Sequence, residues 1–175
     1  MMKRLIWISA FALSNPISAS EIRIGLSGTV QEESSINQAE PSIRPSVGLI
    51  SEWSFESFSA LGELRFNERQ TSSGGLNVKN ENLESLFWLR RYVFHFERGS
   101  LLLQGGLGFG RKEFNYRLIE VGNSRQSSAE TILGIGIGLQ FEISKSWAGE
   151  FVYQVFKKEV QALQQAGSLA ILYNF

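Results

Sequence analysis

The chain has 175 residues, 17 basic and 17 acidic side chains, a formal net charge of +0 and no cysteine. That balance offers no bulk attraction for nucleic acid or for a strongly acidic partner, and the missing thiols exclude disulfides, thiolate metal sites and cysteine chemistry. Aromatic residues are plentiful, with 13 Phe, 4 Trp and 4 Tyr, but the mean hydropathy is only -0.07 and the chain has one long apolar run, so the composition favours β structure over membrane-spanning helices.

That run comes first. Met1-Met2-Lys3-Arg4 is basic, Leu5 to Leu13 is almost wholly apolar, and Ser14-Asn15-Pro16 precedes the small residues Ser18, Ala19 and Ser20. This is the three-part layout of a secretory signal peptide, and the run is about half of the roughly 20 residues a spanning helix needs. Residues 1–20 are therefore expected to be removed after Ala19 or Ser20. One domain remains, covering 21–175. A lipoprotein would need a cysteine at the cleavage site.

From Glu21 onward the periodicity is two. Ile22, Ile24, Leu26 and Val30 fall on one face, with Arg23, Ser27 and Thr29 on the other. After the polar stretch Gln31 to Pro41, Val47, Leu49 and Trp53 alternate with Ser46, Gly48 and Glu52. A tight reversal is expected at Ser54 to Ser57. The third strand places Phe58, Ala60, Gly62, Leu64 and Phe66 opposite Ser59, Glu63 and Arg65, and a long hydrophilic loop is expected over Asn67 to Asn82.

The fourth strand, about Leu83 to Glu97, turns at Arg98-Gly99. In the fifth, Ser100 to Gly110, Leu101, Leu103, Leu107 and Phe109 alternate with Gln104, Gly106 and Gly108. The longest loop spans Arg111 to Ser128, where Phe114, Tyr116 and Leu118 point to a continuing hairpin. The sixth strand, Ala129 to Glu142, sets Leu133, Ile135, Ile137, Leu139 and Phe141 against Gly134, Gly136, Gly138 and Gln140. After Ser144-Lys145-Ser146, Trp147, Phe151, Tyr153 and Val155 alternate with Glu150 and Gln154. A short loop near Lys157 to Gln164 leads to the last strand, where Gly167, Leu169, Ile171, Tyr173 and Phe175 share one face.

Eight antiparallel strands of about ten residues, joined alternately by short turns and long polar connections, form an up-and-down barrel, and its polarity decides the environment. A soluble barrel keeps an apolar interior. Here the face opposite each apolar stripe carries Glu52, Glu63, Arg65, Gln104, Gln140, Glu142, Glu150 and Gln154, so the apolar stripes face outward. Aromatics gather near strand ends: Trp53, Phe55, Phe58, Phe141, Trp147, Tyr173 and Phe175 at the short-turn end, Phe66, Phe109 and Phe114 at the other.

On these features residues 21–175 resemble the small eight-stranded outer-membrane β-barrels of the OmpA transmembrane-domain, OmpX and opacity-protein type. The Gly167, Leu169, Ile171, Tyr173, Phe175 face resembles the C-terminal strand read by the barrel-assembly machinery. The resemblance implies a monomer in the bacterial outer membrane, with outer-membrane lipid, lipopolysaccharide, the assembly machinery, periplasmic chaperones and an extracellular ligand of the loops as partners.

Strict alternation in the fourth strand puts Leu86, Trp88, Arg90, Tyr92, Phe94 and Phe96 on the lipid face, and Arg90 there would cost about 2 to 4 kcal/mol. A β-bulge at Arg90-Arg91 removes the penalty. It turns Phe87 and Leu89 outward before it, Tyr92, Phe94 and Phe96 outward after it, and both arginines inward. An interior network of Glu52, Glu63, Arg65, Arg90, Arg91, Glu142 and Glu150 follows.

Chemistry finds little purchase. His95, the only histidine, lies beside the Arg98-Gly99 turn, and alternating inward carboxylates such as Glu142 and Glu150 are ordinary in such a lumen. Gly105-Gly106-Leu107-Gly108-Phe109-Gly110 and Gly134-Ile135-Gly136-Ile137-Gly138 lack phosphate-loop spacing, and neither opens a helix. Their period instead sets Gly106, Gly108, Gly134, Gly136 and Gly138 inward, leaving room for large partners in a plugged barrel. The loop charges Glu32, Glu33, Glu40, Arg69, Lys79, Arg111, Lys112, Arg117, Arg125, Lys157 and Lys158 are expected to be solvated or to face lipopolysaccharide. No catalytic, cofactor or metal site is expected. The expectation is a non-enzymatic barrel whose long loops serve surface interaction or envelope integrity; a lipid A-modifying enzyme and a narrow passive channel remain open, since architecture does not choose among them.

Overall fold

The computed structural model describes residues 21–33, 42–56, 58–73, 76–118, 122–158 and 163–175; the expected signal peptide and Glu40 lie outside them. Eight strands follow in chain order: β1 (Glu21–Glu33), β2 (Ser42–Ser54), β3 (Ser59–Ser73), β4 (Leu76–Phe96), β5 (Gly99–Leu118), β6 (Gly122–Glu142), β7 (Trp147–Lys158) and β8 (Gln164–Asn174). Each pairs antiparallel with its chain neighbours, and β8 closes the barrel on β1 in a register that sets Leu26 opposite Ile171 and Arg23 opposite Asn174. Closure leaves no sheet edge around the body of the barrel. No helix long and apolar enough to cross a membrane occurs among the described residues.

Alternation sorts the side chains as the sequence pattern requires. Ile24, Leu26, Val47, Leu49, Leu64, Phe109, Ile135, Phe151, Leu169 and Ile171 stand exposed on the outer face as a continuous apolar belt. Such a surface is far larger than the scattered apolar residues a soluble monomer leaves in water. The inner face buries Glu52, Glu63, Arg65, Arg90, Glu150 and Gln154, but also Leu61, Leu86, Trp88, Ile132 and Phe156. The lumen is therefore not uniformly polar; large apolar residues block its middle.

One expectation about connections is corrected and another is borne out. The expected loop from Asn67 to Asn82 is mostly strand: β3 and β4 stay in register from Ser59↔Arg90 to Ser73↔Leu76. The Arg111 to Ser128 segment continues β5 and β6 as the hairpin that Phe114, Tyr116 and Leu118 indicated, paired as far as Leu118↔Gly122. A strand with water on both faces needs no apolar stripe, so its sequence reads as loop although its backbone remains paired. β3, β4, β5 and β6 thus rise past the apolar belt as a four-stranded wall. Among the described residues, β3 beyond Phe66 pairs only with β4, and β6 before Ile132 pairs only with β5, so the wall has two open edges.

A second correction concerns β4. The register slips at Val93, between Tyr92 and Phe94, not at Arg90-Arg91. Phe87 and Leu89 face outward and Arg90 inward, as the expected bulge required, but Tyr92 also faces inward and Arg91 outward, because the slip comes later in the strand. The bulge then returns Phe94 and Phe96 to the outer face. Arg91 stands exposed outside. Its neighbour Arg90 pairs with Ser59, the first residue of β3, so Arg91 lies near the short-turn rim on its β3 side while pairing with Leu103 of β5 on the other, a position from which a long side chain can reach water.

Candidate functional site: the lumen and its mouth

Four layers fill the barrel. Nearest the short turns, Arg90 grips Glu150 through two parallel bonds, Nη1 to Oε2 at 2.7 Å and Nη2 to Oε1 at 2.6 Å. Its Nε donates to Gln104 Oε1 at 2.9 Å, and Nη1 lies 3.5 Å from Glu52 Oε1. Tyr92 donates its hydroxyl to the same Glu52 oxygen at 2.9 Å. Arg23 joins from β1, donating to Gln140 Oε1 at 2.8 Å and lying 3.6 Å from Glu52. A fork-to-fork pair combines charge with geometry, which a dry lumen requires of any ion it holds.

The second layer is apolar. The Trp88 and Phe156 rings lie 5.7 Å apart and tilted, both almost fully buried, with Leu61 and Ile132 beside them. Glycine makes this fit possible: a Cβ on Gly134 would lie 2.7 Å from Trp88 Cη2, and one on Gly106 2.6 Å from Trp88 Cε3. In the third layer Arg65 donates through Nη2 to Glu63 at 2.8 Å and to Gln154 at 2.7 Å, while Ser27 donates to Glu63 at 2.9 Å. The Arg65 guanidinium carbon sits 5.3 Å from the centre of the Phe156 ring, tying this layer to the plug. At the mouth, Lys158 Nζ meets Glu84 at 2.6 Å and Glu130 at 3.2 Å, and Lys112 meets Glu130 at 3.3 Å.

Glu52, Glu63, Arg65, Arg90 and Glu150 are all buried in the lumen, in two groups: Glu52, Arg90 and Glu150 below the plug, Glu63 and Arg65 above it. Arg91 and Glu142 belong to neither. Glu142 is exposed at the β6–β7 turn, where its backbone N–H donates to Arg98 O. Lys112 and Lys158, expected in solvated loops, are buried ion-pair members, because continued alternation turns both inward at the mouth. Phe114 shares the inward parity of Lys112 and so stands apart from the outer aromatics. The Trp88 and Phe156 plug was legible only in retrospect, from apolar residues sharing parity with Glu84, Arg90 and Gln154.

On β8, Leu169, Ile171, Tyr173 and Phe175 face outward. Tyr173 packs edge-on against Trp147 and Phe175, each at 5.0 Å between ring centres. His95 Nδ1 lies 2.8 Å from Ser100 Oγ across the β4–β5 turn, a pairing the sequence did not reveal. The pair is exposed, and beside it lies only the Tyr92 ring, 6.2 Å between centres, among the described residues; a His–Ser contact of this kind falls short of a nucleophile–base site. Among the described residues no group of three histidine, cysteine or carboxylate side chains is placed to hold a metal ion.

The wall carries its own ion pairs. Glu113 accepts from Arg125 and lies 2.6 Å from Arg111; Lys79 lies 2.7 Å from Glu81 and 3.2 Å from Glu68. The hydrogen bond from Arg125, then the charges of Arg125 and Arg111, hold the Glu113 carboxyl below the usual carboxylate range. A carboxyl depressed on folding contributes above its unfolded pKa, and that contribution is lost as pH falls through the folded value. Amide exchange in the paired 111–118 and 122–130 segments, corrected for intrinsic rates, is expected to speed up as pH drops below the ordinary carboxylate range. Unchanged protection would count against the triad.

No protein-family model matches the chain, and no curated protein does. Solved structures do match its fold. Ail, the attachment invasion locus protein of Yersinia pestis, superposes at a TM-score of 0.60 with 16% identity, over 89% of this chain and 97% of that one. The same protein in complex with the heparin analogue sucrose octasulfate gives 0.61 and 18% over the same shares. Neisserial surface protein A gives 0.66 with 10% identity over 88% and 97%, and a major outer membrane protein of Thermus thermophilus gives 0.57 with 8% over 88% and 99%. The fold is that of the small outer-membrane barrels. Within this fold the chain combines a belt, a plugged lumen and a one-sided wall.

Proposed function

We propose that this chain is a non-enzymatic integral protein of the bacterial outer membrane that presents the β3–β6 wall for recognition at the cell surface. The observation that carries the reading is the continuation of four paired strands well past the apolar belt, with polar faces and two edges that no further strand pairs among the described residues. In this orientation the short turns and the C-terminus face the periplasm, hydrocarbon covers the belt, and the basic residues just above it meet lipopolysaccharide. Export through residues 1–20 and insertion guided by Gly167, Leu169, Ile171, Tyr173 and Phe175 belong to the same proposal, as do the assembly machinery and periplasmic chaperones as transient partners.

Open strand edges and polar side chains suit extended peptides and glycans. Ail, whose fold is similar, is called an attachment protein and has been seen with a heparin analogue, which supports an adhesive role here. Because the chain has no native cysteine, single replacements give a clean test of orientation. Ser127→Cys on the wall is expected to react with a membrane-impermeant maleimide on intact cells, whereas Lys145→Cys in the β6–β7 turn reacts only after lysis. Labelling of both in intact cells, or recovery in the soluble periplasm without heat-modifiable migration, would overturn the proposal.

A further inference from the structure

We propose that the mouth of the lumen binds one acidic sugar from the aqueous side, with Arg65 taking its carboxylate. The cavity lies inside the ring of strands at the wall end. Its charged lining is Arg44, Arg65, Lys158 and Glu84, and Gln31, Ser46, Asn67 and Asn82 supply amides and a hydroxyl.

Arg65 forms the floor and is only 2% exposed. Both of its hydrogen bonds, to Glu63 and to Gln154, leave from Nη2, whereas Nε and Nη1 meet no acceptor. Buried guanidinium donors without acceptors are costly, and a purely structural role at this position would not need them. Asn82 lies buried in the same lining; its amide nitrogen donates to Glu84, and its Oδ1 has no partner. The cavity thus offers unmatched donors for an anion and an unmatched acceptor for a hydroxyl. Glu84 does not repel the anion, because Lys158 lies 2.6 Å from it. Beneath Arg65 the Phe156 ring closes the floor and keeps water from approaching from below, which strengthens a charge-assisted bond there.

The space is small, so the carboxylate enters and the sugar ring stays at the rim, within reach of Ser46, Gln31 and Asn67. The cavity lies inside the ring of strands and not on the lipid-facing surface, so the ligand arrives from solution and not from a neighbouring glycolipid.

Titration calorimetry of the refolded barrel in detergent tests the assignment with D-glucuronate, D-glucose and purified lipopolysaccharide as probes. Glucuronate is expected to bind saturably, one per barrel; glucose is expected to give no heat, and lipopolysaccharide not to compete. Arg65→Gln should abolish binding, Arg44→Gln at the rim should weaken it about tenfold or more, and Arg111→Gln on the outer face of the wall should leave it unchanged. If Arg65→Gln loses heat-modifiable migration, Ser46→Asp, which places a like charge at the rim, must abolish binding instead. Equal binding of glucose, displacement by lipopolysaccharide, non-saturable heats, or glucuronate affinity untouched by these changes would overturn it. The site rests on the wall end facing outward, which the labelling of Ser127→Cys tests separately, so a wrong orientation and an empty mouth give different results.

Discussion

Replacing Arg90 with alanine is expected to lower the unfolding temperature of the detergent-refolded barrel sharply, while replacing its neighbour Arg91 leaves it nearly unchanged. Arg90 is the cation shared by Glu150 and Glu52, both buried, and it also holds Gln104 in place. Removing it leaves the buried Glu150 without its cation and Glu52 with only Arg23, 3.6 Å away. Breaking a buried pair from one side typically costs about 3 to 5 kcal/mol. Arg91 stands on the outer face at the rim, and an exposed substitution of this sort is usually worth within about 0.5 kcal/mol. Thermal scans of Arg90→Ala and Arg91→Ala, followed by the heat-modifiable gel shift, give the comparison. Equal effects of the two replacements would contradict the parity of β4. The pairing itself is measured by a double-mutant cycle with Glu150→Gln, in which the charge-removing change is expected to recover part of the Arg90→Ala loss.

The second large effect is expected at Trp88. Its indole spans the barrel between the ionic layers and packs against Phe156, with Gly106 and Gly134 clearing its path. Trp88→Ala removes the largest fully buried side chain and leaves a void that inward glycines cannot collapse to fill. Core Trp to Ala changes cost about 3 to 5 kcal/mol. Two readouts apply. Denaturant unfolding in detergent should shift to lower midpoint, and planar bilayers holding the unmodified protein should show no stable stepwise conductance, whereas Trp88→Ala admits ions intermittently. Steady conductance through the unmodified barrel would remove the plug as an explanation.

Much of the barrel was legible because its strands carry one apolar face. Ile22, Ile24 and Leu26 against Arg23 and Ser27 fix both the strand and its orientation, and the same holds for β6, where glycine alternates with Leu133, Ile135 and Ile137. In β4 that logic gave the right faces up to Arg90 but set the bulge too early, because an inward Tyr92 and an outward Arg91 both run against the simple rule of apolar outside and polar inside. Two adjacent arginines then invited a bulge between them, when one simply faces the lumen and the other the rim. The β3–β4 half of the wall was hidden because its strands have no apolar face to announce them, whereas Phe114, Tyr116 and Leu118 marked the β5–β6 half. Interior pairings such as Arg90 with Glu150 join β4 to β7 across the lumen, 60 positions apart, and local spacing carries no record of them. Lys158 looked like a loop charge until the register placed it opposite Ile132, with its side chain turned toward Glu84.

The contact of Trp88 with Gly106 and Gly134 couples the composition of three strands. Volume at that level of the axis is conserved as a sum: a methyl group gained on β5 or β6 has to be surrendered by the indole on β4, and a smaller residue on β4 frees both glycine positions to drift. Chains descended from this one therefore have two stable ways to change here. They can redistribute bulk around the ring and keep the apolar layer, or they can lose the indole and leave the ionic layers of Arg90 and Arg65 as the remaining barrier.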